Sequence, residues 1–180
     1  ASTDHTKEFI DVFEDSRILR LHNDENLGKS HTINKLYQQA SGRYVTIHDA
    51  DDVSYPDRFE KQISFLRNNP DYGMCGTSFN YVRSSDKVLF REVMMPTDYK
   101  QIREAIKKGS QFHGPTMVFK KELVDGSELL RPFFQDYHED CDLAYRLIQK
   151  APATNLKEVL YDYRLVAGSL SKQLTPRKKV

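Results

Sequence analysis

Residues 44–48 read Tyr-Val-Thr-Ile-His and lead directly into the acidic run Asp49-Ala50-Asp51-Asp52. β-Branched and apolar side chains favour a strand at 44–48, so three carboxylates follow the end of a predicted strand within four residues. Packing does not explain this cluster, because neighbouring carboxylates repel one another unless a cation lies between them. A hard divalent cation such as Mg²⁺ or Mn²⁺ prefers oxygen ligands. The run therefore predicts either a metal-binding edge of a sheet or a solvated acidic turn.

The order of the predicted elements indicates an α/β fold. Strands are predicted at residues 17–21, 44–48, 74–82, 87–93, 116–119 and 155–165. Helices are predicted around the apolar pairs Phe9 and Phe13, Ile33 and Tyr37, and Phe59 and Leu66, and over residues 98–108 and 139–150. Helices that alternate with strands favour a parallel sheet with helices on its faces. Such a domain normally opens with a buried strand, and none precedes the first helix, so we expect a strand upstream of Ala1 to be missing.

Composition narrows the range of partners. The chain has 180 residues, of which 38% are hydrophobic and 29% charged, enough for one domain with a core. Its net charge of +1 provides no electrostatic footprint for nucleic acid. We expect a single domain at residues 1–172 and a basic tail at 173–180. Cys75 and Cys141 lie far apart, as free thiols of a reducing compartment do, so a cytoplasmic location is expected, with peripheral association at the inner face of the membrane as an open alternative.

Two other chemistries compete for the acidic run. A helix–loop–helix calcium site would place a ligand at Val53 and glycine at Ser54, and it would follow a helix rather than a strand. A phosphatase of the haloacid dehalogenase type suits the Asp-x-Asp-x-Val order, with one aspartate as nucleophile and the next as acid/base. That class also needs a downstream lysine and a further acid pair, which the sequence does not place convincingly. The phosphatase therefore stays an open but weaker alternative.

A sugar-nucleotide transferase explains a second acidic site as well. In that chemistry the metal stabilises a leaving diphosphate, and a separate carboxylate deprotonates the acceptor hydroxyl. Glu139 and Asp140 supply such a pair at the start of a predicted helix, where the helix dipole stabilises anions. Ordinary acidic residues of a first helical turn would look the same, so the two sites together carry the hypothesis.

These residues resemble glycosyltransferase family 2, whose members have the GT-A fold. Five short segments occur in the family's order over residues 1–172. They are Ser2-Thr3-Asp4; Asn26-x-Gly28 with Asn34 and Ala40-x-Gly42-x-Tyr44; Asp49-Ala50-Asp51-Asp52 with Pro56-Asp57-Arg58; Glu139-Asp140 with Asp142 and Arg146; and Tyr163-Arg164 with Gly168-Ser169-Leu170-Ser171. The resemblance implies a Rossmann-like, mixed and mainly parallel sheet flanked by helices, and an enzyme that transfers a sugar from a nucleotide-diphosphate donor to an acceptor hydroxyl with inversion.

The resemblance also implies roles for individual residues. Asp51 would contact Mg²⁺ or Mn²⁺ directly, and Asp49 would lie near the ribose or reach the metal through water. Asp140 would be the base that activates the acceptor, and Glu139 would orient the acceptor or tune Asp140. The remaining assignments are Asn34 on the donor side, and His113 and Gly114 on the acceptor side. The implied donor is a nucleotide sugar, first of all a UDP-sugar, and the implied acceptor is a saccharide or a lipid-linked sugar.

The chain departs from the family pattern at two places. The family's opening strand and first aspartate pair would precede Ala1, and Leu165-Val166 stands near the position where many relatives carry a histidine. The first departure leaves open a non-catalytic or truncated binding domain of the same fold.

Two further residues are expected to have structural roles. Arg58 is expected to pair with an acid at a junction between sheet and helix, and Asp52 is expected to be a structural neighbour of Asp51.

Overall fold

A mixed six-stranded sheet organises the chain in the computed structural model, which describes residues 4–83, 89–124, 128–131 and 138–165. Its strands are β1 (Tyr44–Thr46), β2 (Val53–Ser54), β3 (Met74–Arg83), β4 (Leu89–Val93), β5 (Val118–Lys120) and β6 (Ala153–Leu165). The α-helices are α1 (Thr6–Asp11), α2 (Gly28–Gln39), α3 (Arg58–Asn68), α4 (Tyr99–Ala105) and α5 (Glu139–Ile148). Short 3₁₀ helices lie at Gly114–Thr116 and Lys121–Val124. The predicted α/β class, with helices flanking a mixed sheet, is confirmed.

The strand order is β1-β5-β3-β6-β2, with β4 paired to β3. Strands β3 and β6 are parallel neighbours, whereas β5 is antiparallel to both β1 and β3. It follows that β1, β3 and β6 run in one direction, and their carboxyl ends face the same edge of the sheet. The acidic run after β1 and the last residues of β6 therefore meet at that edge.

The core lies between the sheet and helices α4 and α5. Helix α5 buries four apolar residues that recur at helical spacing, which are Leu143, Ala144, Leu147 and Ile148. They pack with Ile102 of α4 and Phe119 of β5. Burial of one such leucine contributes about 1.5–3 kcal/mol, so this face fixes where the acidic amino end of α5 lies.

One predicted element near the amino end is absent from the structure. Residues 17–21 form no strand, because their alternation meets no neighbouring strand and leaves Leu19 62% exposed. Helix α1 is present, but none of its described residues is buried.

Strand β2 has only two residues and was not predicted, since so short a run carries no alternation. Within the described ranges no helix is both long enough and apolar enough to cross a membrane.

Candidate active site

The acidic run forms a tight turn between β1 and β2. The backbone N–H of Asp52 donates to the carbonyl oxygen of Asp49 at 3.2 Å, which closes a four-residue turn. Asp51 is exposed at its tip, and the side chain of Asp49 is 29% exposed. The two carboxylates predicted to meet a metal therefore stand at one accessible turn.

Asp52 differs from the other two acids because it points into the protein and is 8% exposed. Its carboxylate accepts a hydrogen bond from the Tyr161 hydroxyl at 2.7 Å and one from the backbone N–H of Arg164 at 2.8 Å. Burial raises the pKa of Asp52, and these two hydrogen bonds oppose that rise. The expectation that Asp52 serves as a structural neighbour agrees with this placement.

The second acidic site lies at the first turn of α5. Glu139 is buried and Asp140 is half-buried, and one oxygen of Asp140 accepts from the N–H of Cys141 at 2.8 Å. His138, directly before them, has a positive φ of 65°, a left-handed conformation that costs a non-glycine residue about 1–2 kcal/mol. The chain thus reaches the acid pair through an unfavourable backbone geometry.

Lys29 connects the two acidic sites. Its ammonium Nζ lies 3.5 Å from Oδ1 of Asp49 and 3.3 Å from Oε1 of Glu139. Burial lowers the pKa of Lys29, but the charges of Asp49 and Glu139 outweigh it and raise the pKa overall. The turn that carries Asp49 and the amino end of α5 therefore share one cation, and the two acidic sites lie next to each other.

The N-x-G segment explains the position of Lys29. Gly28 has a φ of 75°, and its N–H donates to the side chain of Asn26 at 2.9 Å. This turn starts α2 and places Lys29 in its first turn. Lys29 and Asp49 are among the residues that line a groove of about 370 Å³ between α2 and β1, so solvent has access to the pair.

His113 and Gly114, which the resemblance assigns to the acceptor side, lie beside Asp140. The ring of His113 stacks on Phe79 at 3.9 Å, and its buried Nε2 has no hydrogen-bond partner among the residues that the structure describes. Burial lowers the pKa of His113 to about 4, although the charge of Asp140 opposes the shift. A Cβ on Gly114 would lie 2.5 Å from Oδ2 of Asp140, so the aspartate packs directly on the glycine backbone.

Asn34, assigned by resemblance to the donor side, contacts the main chain of Leu130. Its Nδ2 donates to the Leu130 carbonyl at 2.7 Å, and its Oδ1 accepts from the Leu130 N–H at 2.9 Å. The amide thus joins α2 to a segment 96 residues away. This pairing points to bracing of the site wall.

Arg58 does not pair with an acid within the described residues, so that expectation was wrong. It is fully buried, and its guanidinium donates to the Pro115 carbonyl and to Oγ1 of Thr46, both at 3.1 Å. The guanidinium also lies 5.0 Å from the centre of the Tyr161 ring. Burial lowers the pKa of Arg58 to about 10, which keeps it charged at neutral pH. Its structural role, however, agrees with the sequence interpretation.

Several expectations fall outside the described residues. These are the resemblance at Ser2-Thr3, the segment Gly168-Ser169-Leu170-Ser171 and the basic tail at 173–180. In the ranges that are described, no group of three or more His, Cys, Asp or Glu side chains is arranged to hold a metal. The predicted pair, Asp49 and Asp51, supplies two hard oxygen ligands, a set that suits Mg²⁺ or Mn²⁺ when phosphate oxygens and water complete it.

Sequence reasoning missed Lys29 and Tyr161 as parts of this site. Lys29 carried a usable signal, because a cation that follows N-x-G at the start of a helix lies near the carboxyl ends of the strands. Tyr161 carried none, since a tyrosine in an alternating strand is a core residue by default.

Comparison with known proteins identifies the family. Residues 1–126 match the family model described as Glycosyl transferase family 2. The chain is 30% identical over 128 residues to the uncharacterized glycosyltransferase MJ1057 of Methanocaldococcus jannaschii, covering 69% of this chain and 43% of that protein. It is 25% identical over 151 residues to the amylovoran biosynthesis glycosyltransferase AmsE of Erwinia amylovora, covering 83% and 55% respectively. The chain thus spans about half the length of these two relatives.

Solved structures show the same fold. S. aureus TarS 1–349, in complex with UDP-GlcNAc, superposes with a TM-score of 0.71 at 16% identity, covering 97% of this chain and 50% of that one. The mannosyltransferase PcManGT from Pyrobaculum calidifontis, in complex with GDP-Man and Mn²⁺, has a TM-score of 0.61 at 23% identity, with coverages of 91% and 45%. At these identities the likeness supports the architecture alone.

Proposed function

Because the chain belongs to glycosyltransferase family 2, we propose that it transfers a sugar from a nucleotide-diphosphate donor to an acceptor hydroxyl, with inversion and with the help of a divalent metal. The observation that carries this proposal is the shared cation between the two acidic sites. Lys29 lies within 3.5 Å of both Asp49 and Glu139, so donor-side and acceptor-side groups stand next to each other. A single displacement needs that proximity, because donor and acceptor must meet in one site.

On the donor side, Asp51 and Asp49 would hold Mg²⁺ or Mn²⁺. The metal, when bound, stabilises the negative charge that develops on the leaving diphosphate. Lys29 adds a positive charge at the same place and keeps the buried Glu139 paired. Asn34 braces the wall through Leu130. In this proposal a UDP-sugar is the first donor to test, because the family resemblance implies one. The acids themselves fix neither the sugar nor the nucleotide.

On the acceptor side, Asp140 would take the proton from the attacking hydroxyl. Its carboxylate is half-buried and packs on Gly114, which restricts its rotamers and favours a fixed direction of attack. His113 is neutral near physiological pH because its pKa is lowered to about 4. It therefore suits the site as an apolar wall beside Asp140 better than as a proton carrier.

The proposal is tested in the protein at its natural length with Mn²⁺ and a panel of UDP- and GDP-sugars. Asp140→Asn should lower the rate of transfer by about 10²–10⁴-fold while the dissociation constant of the donor changes less than about twofold. Asp57→Asn, an aspartate whose side chain is 48% exposed and bound to Lys61, serves as the control and should transfer normally. Transfer that survives Asp140→Asn would mean that another group is the base.

Inversion and metal dependence have separate readouts. NMR of the product reports whether the anomeric configuration is opposite to that of the donor. Calorimetry with Mn²⁺ and UDP reports metal-dependent nucleotide binding, which Asp51→Ala should abolish. Retention of configuration, or binding that is indifferent to Asp51 and to chelation of the metal, contradicts the corresponding part of the proposal.

A further inference from the structure

The turn that carries Asp49 and Asp51 is anchored at its last residue. Asp52 donates its N–H to Asp49 and thereby closes the turn, and its side chain reaches away from the other two acids into the protein. Both carboxylate oxygens of Asp52 are engaged, Oδ2 by the Tyr161 hydroxyl and Oδ1 by the Arg164 N–H. Because both oxygens accept hydrogen bonds from β6, Asp52 is placed as an anchor rather than as a third acid of the exposed turn.

The anchor is rigid because β6 is part of the sheet. Tyr161 is fully buried, and β6 pairs along most of its length with β3. Strand β2, which follows Asp52 directly, pairs with β6 at Tyr161 and Asp162. Main-chain and side-chain contacts therefore fix the carboxyl end of the acidic turn to the same stretch of β6.

The other end of the turn is attached to the same buried unit. Arg58 donates to Oγ1 of Thr46, in β1 just before the acids, and its guanidinium lies over the ring of Tyr161. The ring of Tyr161 thus contacts the Arg58 guanidinium, which holds β1, and its hydroxyl contacts Asp52, which holds the turn. A carboxylate taken out of water is costly unless it is hydrogen-bonded, so the Tyr161 hydroxyl stabilises Asp52 in this inward position.

We propose that Asp52 and Tyr161 are a positioning pair, through which β6 holds Asp49 and Asp51 in the arrangement that binds the metal and diphosphate of the donor. This inference rests on the proposed function and assigns Asp52 and Tyr161 no contact with substrate. It distinguishes Asp52, which sets the geometry of the turn, from Asp51, which would meet the metal. Donor affinity then depends on a hydroxyl group buried beneath the site.

The test measures the dissociation constant of UDP and of GDP, each with Mn²⁺, by calorimetry on the protein at its natural length. Tyr161→Phe keeps the ring and removes the hydrogen bond to Asp52, and it should weaken binding about tenfold. Tyr55→Phe is the matched control, because the Tyr55 hydroxyl also donates to an aspartate of β6, Asp162, at 3.1 Å. The control should leave the dissociation constant unchanged.

Variants of Asp52 provide the second arm. Asp52→Asn retains an oxygen for the Arg164 N–H and an amide that can donate to the Tyr161 oxygen, so it should bind within about threefold of the unmodified protein. Asp52→Ala should bind nucleotide about tenfold more weakly. Its kcat, measured at saturating donor, should fall by a smaller factor than its KM for the donor rises. This arm stands even if Tyr161→Phe fails to fold.

The outcomes separate the two proposals. Suppose that the unmodified protein binds nucleotide with Mn²⁺. If Tyr161→Phe then binds as tightly as the unmodified protein, or loses no more affinity than Tyr55→Phe, the positioning pair is wrong while the proposed function stands. Equal loss in Asp52→Asn and Asp52→Ala also overturns it. If the unmodified protein binds neither nucleotide with Mn²⁺, the donor site itself is wrong, and the positioning role is wrong with it.

Discussion

Lys29 and Glu139 form an ion pair across the site, with Nζ 3.3 Å from Oε1 and with the Glu139 side chain only 6% exposed. A carboxylate that is so deeply buried depends on its partner, because removing one member of a buried pair leaves an uncompensated charge. The Lys29 side chain is 39% exposed, so solvent screens part of this effect. Loss of either partner is therefore expected to destabilise the fold, and the pair holds the amino end of α5 near the turn that carries Asp49.

We expect Lys29→Met to lower the free energy of unfolding by about 2 kcal/mol and to impair transfer, since Glu139 loses its partner. Lys61→Met is a close control. Lys61 has the same 39% exposure and also bridges two carboxylates, Asp57 and Glu158, but these are 48% and 52% exposed. It should cost less than about 0.5 kcal/mol. Urea denaturation of both variants decides the matter, and equal losses would contradict a special role for Lys29.

The contact between Gly114 and Asp140 yields a second prediction. In Gly114→Ala the new methyl group would lie 2.5 Å from Oδ2 and 2.7 Å from Cβ of Asp140, so the aspartate must move. A displacement of about 1 Å in a reacting group can cost about 10²-fold in rate. We expect kcat to fall by about 10–100-fold, with little change in the KM of the donor.

Gly109→Ala controls for the substitution itself, because a Cβ at Gly109 would meet no heavy atom of the described chain within 4 Å. That variant should keep its kcat. If Gly114→Ala also keeps its kcat while remaining folded, then the position of Asp140 does not limit the reaction, and its assignment as the base is weakened.

His113 should make stability depend on pH. Its pKa is lowered by burial to about 4 in the folded protein and returns to about 6.5 on unfolding. Between these values the unfolded chain binds more protons, so stability falls as the pH is lowered from 6.5 to 4 and is restored above 6.5. The total effect is about 3 kcal/mol.

His113→Phe should reduce this pH dependence, because a phenyl ring can keep the stack on Phe79 and cannot take up a proton. Denaturation at pH 5 and pH 7 measures it, with His5→Gln as the control, since the His5 side chain is 91% exposed. The difference in stability between the two pH values should shrink only in His113→Phe. An unchanged difference would show that His113 does not titrate with unfolding.

The part of the site that sequence could predict is local, and the part it could not is tertiary. The strand at 44–48 is followed at once in the chain by the acidic run that contains Asp51, and Asp140 lies in the same helix as the apolar residues of α5. Pattern and spacing therefore predict both acidic sites. The ion pair of Lys29 with Glu139 joins residues 110 positions apart, and no local period encodes it. The sequence predicts Asp52 as a structural neighbour of Asp51, but it does not predict the contacts that turn Asp52 inward, because their partners in β6, Tyr161 and Arg164, lie 109 and 112 positions away.

The same distinction explains the error at residues 17–21. Ile18 and Leu19 lie in a run that alternates as a strand does, but a strand needs a neighbour to satisfy its backbone groups. None pairs with it among the described residues, and Leu19 is 62% exposed. Alternation predicts what a segment can form, whereas pairing decides what it does form.

Arg58 provides the last prediction. It is fully buried and donates to the Pro115 carbonyl and to Oγ1 of Thr46, so one planar guanidinium joins α3, β1 and the turn before β5. Lysine carries a point charge without this fork, and Arg58→Lys should lower the free energy of unfolding by about 2–4 kcal/mol, because a buried carbonyl or hydroxyl loses its donor and the ammonium is poorly solvated. Arg67→Lys, at an exposed position of the same helix, should change stability by less than about 0.5 kcal/mol. Urea unfolding measures both variants, as a shift of the midpoint with an unchanged dependence of the free energy of unfolding on urea concentration. If Arg58→Lys is as stable as the unmodified protein, a compact cation in this position is enough to hold β1 beneath the acidic turn.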